Sequence, residues 1–187
     1  IMGIYVIINM IPSYAEMFGR SKVELSAIYF LGKQKYQLGD VISSLNLIAL
    51  ITSVLLILLI VVFFPSLSTT LLKDDVDAYS NYLLVILVVI PINLFYLNYM
   101  YLHIHNEDVR SVNFMILIRA LGMSVLAVPG LLFFDFLIPE LVGTYIFSYI
   151  LALIVGVFRL DRWKRDGPLI NTPLIKDFFT YAYSLYI

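Results

Sequence analysis

The stretch that decides the fold is Val41-Ile-Ser-Ser-Leu-Asn-Leu-Ile-Ala-Leu-Ile-Thr-Ser-Val-Leu-Leu-Ile-Leu-Leu-Ile-Val-Val-Phe-Phe-Pro-Ser-Leu-Ser-Thr-Thr-Leu-Leu72. It contains no charged residue. About 20 apolar residues cross the hydrocarbon core of a bilayer, so Leu45–Phe64 predicts a membrane-spanning helix, ended by Pro65 and the Ser/Thr cluster behind it. The bulk composition agrees. The 187-residue chain is 61% hydrophobic and 13% charged, with mean hydropathy +0.95. An average soluble domain is about 45–50% apolar and about 25% charged, which places this chain among polytopic membrane proteins. A net charge of −1 gives no field for nucleic acid, and the absence of cysteine excludes disulfides and thiolate metal sites.

Working outward, four more spans follow. Before the uncharged run lies span one, about 4–29, with Pro12 as the expected kink point of the helix and Lys33, Lys35 and Tyr36 behind it as interfacial residues. After the run comes an acidic loop, Lys73-Asp-Asp-Val-Asp77, then span three at about 79–102. Pro91 sits near its middle, and Asn93 and Asn98 are expected to hydrogen-bond to neighbouring helices. Tyr96, Tyr99 and Tyr101 form half an aromatic belt in this reading. Span four covers about 112–134 and span five about 139–158, the latter opened by Pro139-Glu140, a favourable helix start. Thr144, Ser148, Ala152 and Gly156 recur every four residues, a small-residue stripe that lets another helix approach closely. A basic linker, 159–172, leads into an amphipathic helix over 173–187. The expected fold is therefore all-α, a polytopic transmembrane bundle of five spans and the start of a sixth. The chain opens on Ile1 and stops inside the apolar run Phe178–Ile187, and it reads as part of a longer protein.

Loop charge sets the expected orientation. Lys33 and Lys35, then Arg110, then Arg159, Arg162, Lys164, Arg165 and Lys176 fall in alternate loops, while the others hold Lys73 among acids or no basic residue. The positive-inside rule puts the basic set in the cytoplasm.

The candidate site is built from charges inside spans. Glu16, Arg20 and Glu24 are spaced i, i+4, i+8 and would share a helix face, with Lys22 beside them. Arg119 interrupts span four. A charge at the bilayer centre costs about 3 kcal/mol on insertion scales, so such residues meet protein, a partner charge or a watery cavity. Arg20, Lys22 and Arg119 are candidates to bind an anionic substrate, since the guanidinium fork matches phosphate oxygens. Glu16 and Glu24 are candidates for charge balance or for a coupling H+ or Na+. The competing reading is a salt-bridge ladder, with Arg119 paired to Glu16 or Glu24 or reaching the interface. His103-x-His105-x-Glu107-Asp108 is a weak metal pattern and reads as a solvated turn. No metal site, cofactor, phosphate loop or catalytic triad is expected, and an enzyme is not the leading class.

Gly3-Ile-Tyr5 opening span one, Ser26-Ala-Ile-Tyr-Phe-Leu-Gly-Lys33 closing it, the Lys33/Lys35-Tyr36 link and the order of loops and spans behind it together carry a resemblance. The chain resembles the polysaccharide-transport flippases, the O-antigen and exopolysaccharide exporters of the multidrug/oligosaccharidyl-lipid/polysaccharide exporter superfamily. It departs from their pattern at His103 and His105 and at Tyr181-Ala-Tyr-Ser184. The resemblance implies two helix bundles facing each other across a cavity, with this chain supplying most of the first. It further implies a bacterial inner-membrane protein that moves a polyprenyl-pyrophosphate-linked oligosaccharide to the outer leaflet by alternating access, for surface polysaccharide such as lipopolysaccharide. Membrane lipids would be its other partners. A cation-coupled multidrug exporter of the same superfamily and a membrane-embedded glycolipid-modifying enzyme are the alternatives.

Overall fold

The computed structural model describes residues 10, 13–14, 17, 22–66, 84–85, 87–134, 138–160 and 171–184. Among these the regular structure is helical, with no strand: α1 (Val23–Gly32), α2 (Leu38–Val62), α3 (Val89–His105), α4 (Val109–Phe133), α5 (Ile138–Leu160) and α6 (Thr172–Ser184). The expected all-α bundle is what the chain forms. Three helices, α2, α4 and the Pro139–Leu160 portion of α5, are long and apolar enough to cross a membrane. That fits a multi-pass transmembrane protein. The outward face of α2 is what such a helix shows to lipid, with Leu55, Leu58, Leu59 and Val62 all exposed.

Helix α3 is the central strut, in contact with α1, α2, α4 and α5; α4 packs most extensively on α5, and α6 lies against α1 and α2. The small-residue stripe explains the tight α4–α5 pairing. Thr144, Ser148 and Ala152 are buried, and so is Gly156. A Cβ built on Gly122 of α4 would sit 2.7 Å from Ser148 Oγ and 3.4 Å from its Cα, and one on Gly156 would sit 2.7 Å from Met115 Cε. Only a missing Cβ permits these approaches. The expected interhelical amide bond is present too, Asn98 Nδ2 donating to Leu45 O at 3.1 Å.

Four details differ from the sequence reading. Span one does not run as one helix through Lys22, which lies in the left-handed region (φ 56°, ψ 17°) as the N-terminal cap of α1. A left-handed residue does not sit inside a right-handed helix, so α1 starts at Val23 with Glu24 in its first turn. Pro91 falls in the first turn of α3. Leu87 and Val88 precede it with i→i+3 bonds, and Leu87 O accepts from Ile90 N at 3.1 Å, so the carbonyl that a proline leaves free is used. Tyr96 and Tyr99 are core residues rather than an interfacial belt, Tyr96 being 1% exposed, and Tyr99 Oη accepts from Asn46 Nδ2 at 3.3 Å. His103 is likewise buried at 1% exposure in the last turn of α3, not in a solvated turn.

The ends expected in the cytoplasm are tied by polar contacts. Lys35 Nζ and Tyr36 Oη both donate to Asp177 Oδ2 at 2.6 Å, joining the α1–α2 turn to α6. The bond to Asp177 raises the Lys35 amine above its ordinary range. The α3–α4 turn is joined to the end of α5 by His103 Nε2, which donates to Gly156 O at 3.0 Å.

A candidate anion site around Arg119

Helix α4 turns one face to α3 and α5. Ser111, Val112 and Met115 are buried on it, and Arg119 and Gly122 continue the same face at i+4 and i+3. Arg119 is ten residues from the start of α4, about 15 Å along the helix axis. Its side chain points at aromatic rings. The guanidinium carbon is 5.3 Å from the ring centroid of Tyr96 on α3 and 5.2 Å from that of Tyr149 on α5. The two rings are themselves edge-to-face at 5.8 Å.

Two tyrosines and the small-residue stripe share α5 for a geometric reason. Tyr145 and Tyr149 are one turn apart, each next to a stripe residue, Thr144 or Ser148. The stripe lets α4 come close, and the Tyr149 ring beside it then reaches the Arg119 head group, with Tyr145 behind it. Arg119 Nη1 donates to Tyr149 Oη at 3.4 Å, and Tyr145 Oη donates to Tyr149 Oη at 3.3 Å.

The energetics show how the charge is tolerated. A desolvated cation–π contact is worth up to about 2 kcal/mol, so two such contacts offset most of the roughly 3 kcal/mol that an arginine costs at the centre of a membrane helix. Stabilisation by ring quadrupoles leaves the formal charge in place. No ion pair joins Arg119 to a carboxylate among the described residues. A guanidinium has five N–H donors, and one of them, on Nη1, is used here in a long bond to Tyr149. What remains is an aromatic-walled cation with donors to spare, an arrangement suited to an anion bearing several oxygens.

The other candidates are distributed differently. Glu16 and Arg20 lie outside the described residues. Lys22 is half-buried at the cap of α1, and Glu24 is buried in the first turn of that helix. Helix α1 packs on α2, α3 and α6, whereas α4 packs on α3 and α5. Neither Lys22 nor Glu24 makes an ion pair with Arg119.

Sequence reasoning missed a second polar group, at the α3–α4 turn. Asp108 caps α4, accepting from Ser111 N at 3.1 Å and from Ser111 Oγ. The Ser111 hydroxyl bond, more than any other contact, holds the Asp108 carboxyl below its usual range. His103 Nδ1 is 3.3 Å from Asp108 Oδ2, and Arg159 Nη1 donates to Ser111 Oγ at 3.3 Å. The spacing Asp108-x-x-Ser111 is a recognisable cap signal. Its link to α5 has no local signature. Among the described residues no group of three or more His, Cys, Asp or Glu could hold a metal.

No protein-family model, curated protein or solved structure matches this chain.

Proposed function

We propose that this chain is part of a membrane transporter that moves an anionic, lipid-linked oligosaccharide across the bilayer, with Arg119 contacting the diphosphate of a polyprenyl-pyrophosphate carrier. The observation that carries this reading is the arginine itself. It sits inside a membrane-length apolar helix and, among the described residues, is held by Tyr96 and Tyr149 rather than by a carboxylate. A pyrophosphate head group does not cross hydrocarbon unaided, because stripping its water costs far more than binding recovers in an apolar medium. A fixed cation along the path lowers that barrier, and aromatic faces suit the sugar rings that follow. An inside-negative potential favours outward movement of each negative charge by about 2.3 kcal/mol per 100 mV. The resemblance to polysaccharide flippases supports the same class, and with it a bacterial inner-membrane location and a non-enzymatic role.

The test replaces Arg119 with alanine and with lysine in the protein as its host makes it. Surface glycan is measured together with membrane abundance of each variant. Both substitutions are expected to cut delivery at unchanged abundance, the lysine less severely because it keeps the charge but loses the planar fork. Normal delivery by Arg119→Ala at normal abundance would overturn the proposal. Loss of the protein from the membrane in both variants would overturn it in favour of a structural role.

A further inference from the structure

A buried carboxylate lies at the start of α2. Asp40 is the third residue of α2 and is 7% exposed. Its Oδ2 accepts from Asn171 Nδ2 at 3.4 Å. Asn171 is spoken for on its other side, since its Oδ1 caps α6 by accepting from Leu174 N at 3.2 Å. Asp40 Oδ1 is buried with no hydrogen-bond partner among the described residues, and so is Ser44 Oγ one turn further along α2. Ser44 is fully buried, at 0% exposure. Positions i and i+4 share a helix face with Cβ atoms about 6 Å apart, so one small guest can reach both oxygens.

Buried polar atoms without partners are rare in proteins and call for a ligand, a water or an ion. The case is sharper for a carboxylate, because an ionised group out of water costs several kcal/mol unless it is compensated. One long bond from a neutral amide does not compensate it. Lys35 in the preceding turn is committed to Asp177, and Lys33 lies over the Tyr29 ring at 4.4 Å. The helix dipole of α2 stabilises the carboxylate and opposes a cation beside it, which favours weak binding.

We propose that Asp40 Oδ1 and Ser44 Oγ bind a sodium ion at the junction of α2 and α6, next to Asn171. The donor chemistry selects the ion. Carboxylate and hydroxyl oxygens suit a hard cation, and a single carboxylate balances one positive charge, where a divalent site gathers more. Such an ion would tie α2 to the capped end of α6, so its occupancy would govern how firmly α6 is docked. This assignment stands independently of what Arg119 binds.

The experiment measures the thermal unfolding midpoint of the full protein in nanodiscs, in sodium chloride titrated against choline chloride at constant ionic strength. Binding of radioactive sodium is measured on the same samples. The wild type is expected to gain stability saturably with sodium and to retain the isotope. Asp40→Asn removes both responses, Ser44→Ala shifts the sodium midpoint about tenfold, the loss expected for one hydrogen-bond-strength ligand, and Asp177→Asn leaves both intact. If Asp40→Asn does not accumulate, Ser44→Ala decides the question. Equal stability in the two salts without isotope retention overturns the proposal and leaves the two oxygens to a bound water. A sodium response unchanged in Ser44→Ala and Asp40→Asn also overturns it, by placing the ion elsewhere.

Discussion

Replacing Gly122 with alanine tests the packing that holds Arg119 in place. The added methyl would lie 2.7 Å from Ser148 Oγ, 3.1 Å from its Cβ and 3.4 Å from its Cα. Carbon contacts settle near 3.5–4.0 Å, so α4 and α5 must part locally by about 0.5 Å or more. A rotamer change that moves Ser148 Oγ aside gives up its bond to Thr144 O and leaves the Cβ contact at 3.1 Å, so it does not relieve the crowding fully. Overpacking of this kind costs about 1–3 kcal/mol. Exchanging glycine for alanine in a helix returns about 1 kcal/mol, leaving a net loss of about 0–2 kcal/mol. Arg119 is three residues from Gly122, and Tyr149 follows Ser148, so the same parting stretches the guanidinium away from its ring. The assay is a double-mutant cycle with Ser148→Gly, reading unfolding free energy in lipid bicelles. Ser148→Gly alone is expected to cost about 0.5 kcal/mol by propensity, and the double variant should be less destabilised than the sum by about 1 kcal/mol or more. Additive losses would refute the close approach of α4 to α5 and with it the placement of Arg119.

Two other substitutions have defined outcomes. Asp108→Ala removes the cap of α4 and should cost about 1 kcal/mol. Because the folded Asp108 carboxyl is depressed below 3.8, its contribution is present above that pH and is lost as pH falls through the folded value. Thermal melts below pH 4 should therefore lose stability more steeply in the wild type than in Asp108→Ala, and parallel acid profiles would count against this account. Asn98→Ala breaks the α3–α2 bond to Leu45 O and should cost about 0.6–1.7 kcal/mol, measured by the same bicelle unfolding; no change would mean that the amide is dispensable to that pairing.

Length and apolarity made the membrane-length helices legible in the sequence, since the uncharged run of α2 and the Pro139-Glu140 start of α5 need no tertiary information. The stripe Thr144, Ser148, Ala152, Gly156 was legible for the same reason, its period matching one helix face. Lys22 was not. Nothing in a lysine favours a left-handed backbone, so a pattern of charges at i, i+4, i+8 reads as continuous across a position where α1 only begins. Tyr96 and Tyr99 were misread because tyrosine has an apolar body and a polar tip, and serves equally at an interface or in a core. What decides between the two is whether a partner such as Asn46 or Arg119 reaches it from another helix. His103 was misread on similar grounds, since the carbonyl that accepts its proton belongs to Gly156, far along the chain. The candidate site was legible only as an isolated cation. A charged residue in an apolar span signals that a partner exists, and carboxylates were the expected partners; aromatic rings on two other helices leave no local trace.

That choice of partner bears on what Arg119 can do. A buried arginine bound to a carboxylate must give up a strong bidentate pair before it can hold a ligand, and breaking a buried pair costs about 3–5 kcal/mol. An arginine resting beside two tyrosine rings gives up no such pair, since its one hydrogen bond among the described residues is the long one from Nη1 to Tyr149 Oη. An anion can then bind the remaining N–H groups. The same geometry limits how tightly it binds. Tyr149 Oη takes one donor, and α1, which carries Lys22 at its cap, packs on α2, α3 and α6, so the described residues offer one guanidinium rather than a clamp of several cations. A site that accepts a diphosphate at low cost and releases it readily serves passage. A retentive site would require additional charges around the same rings.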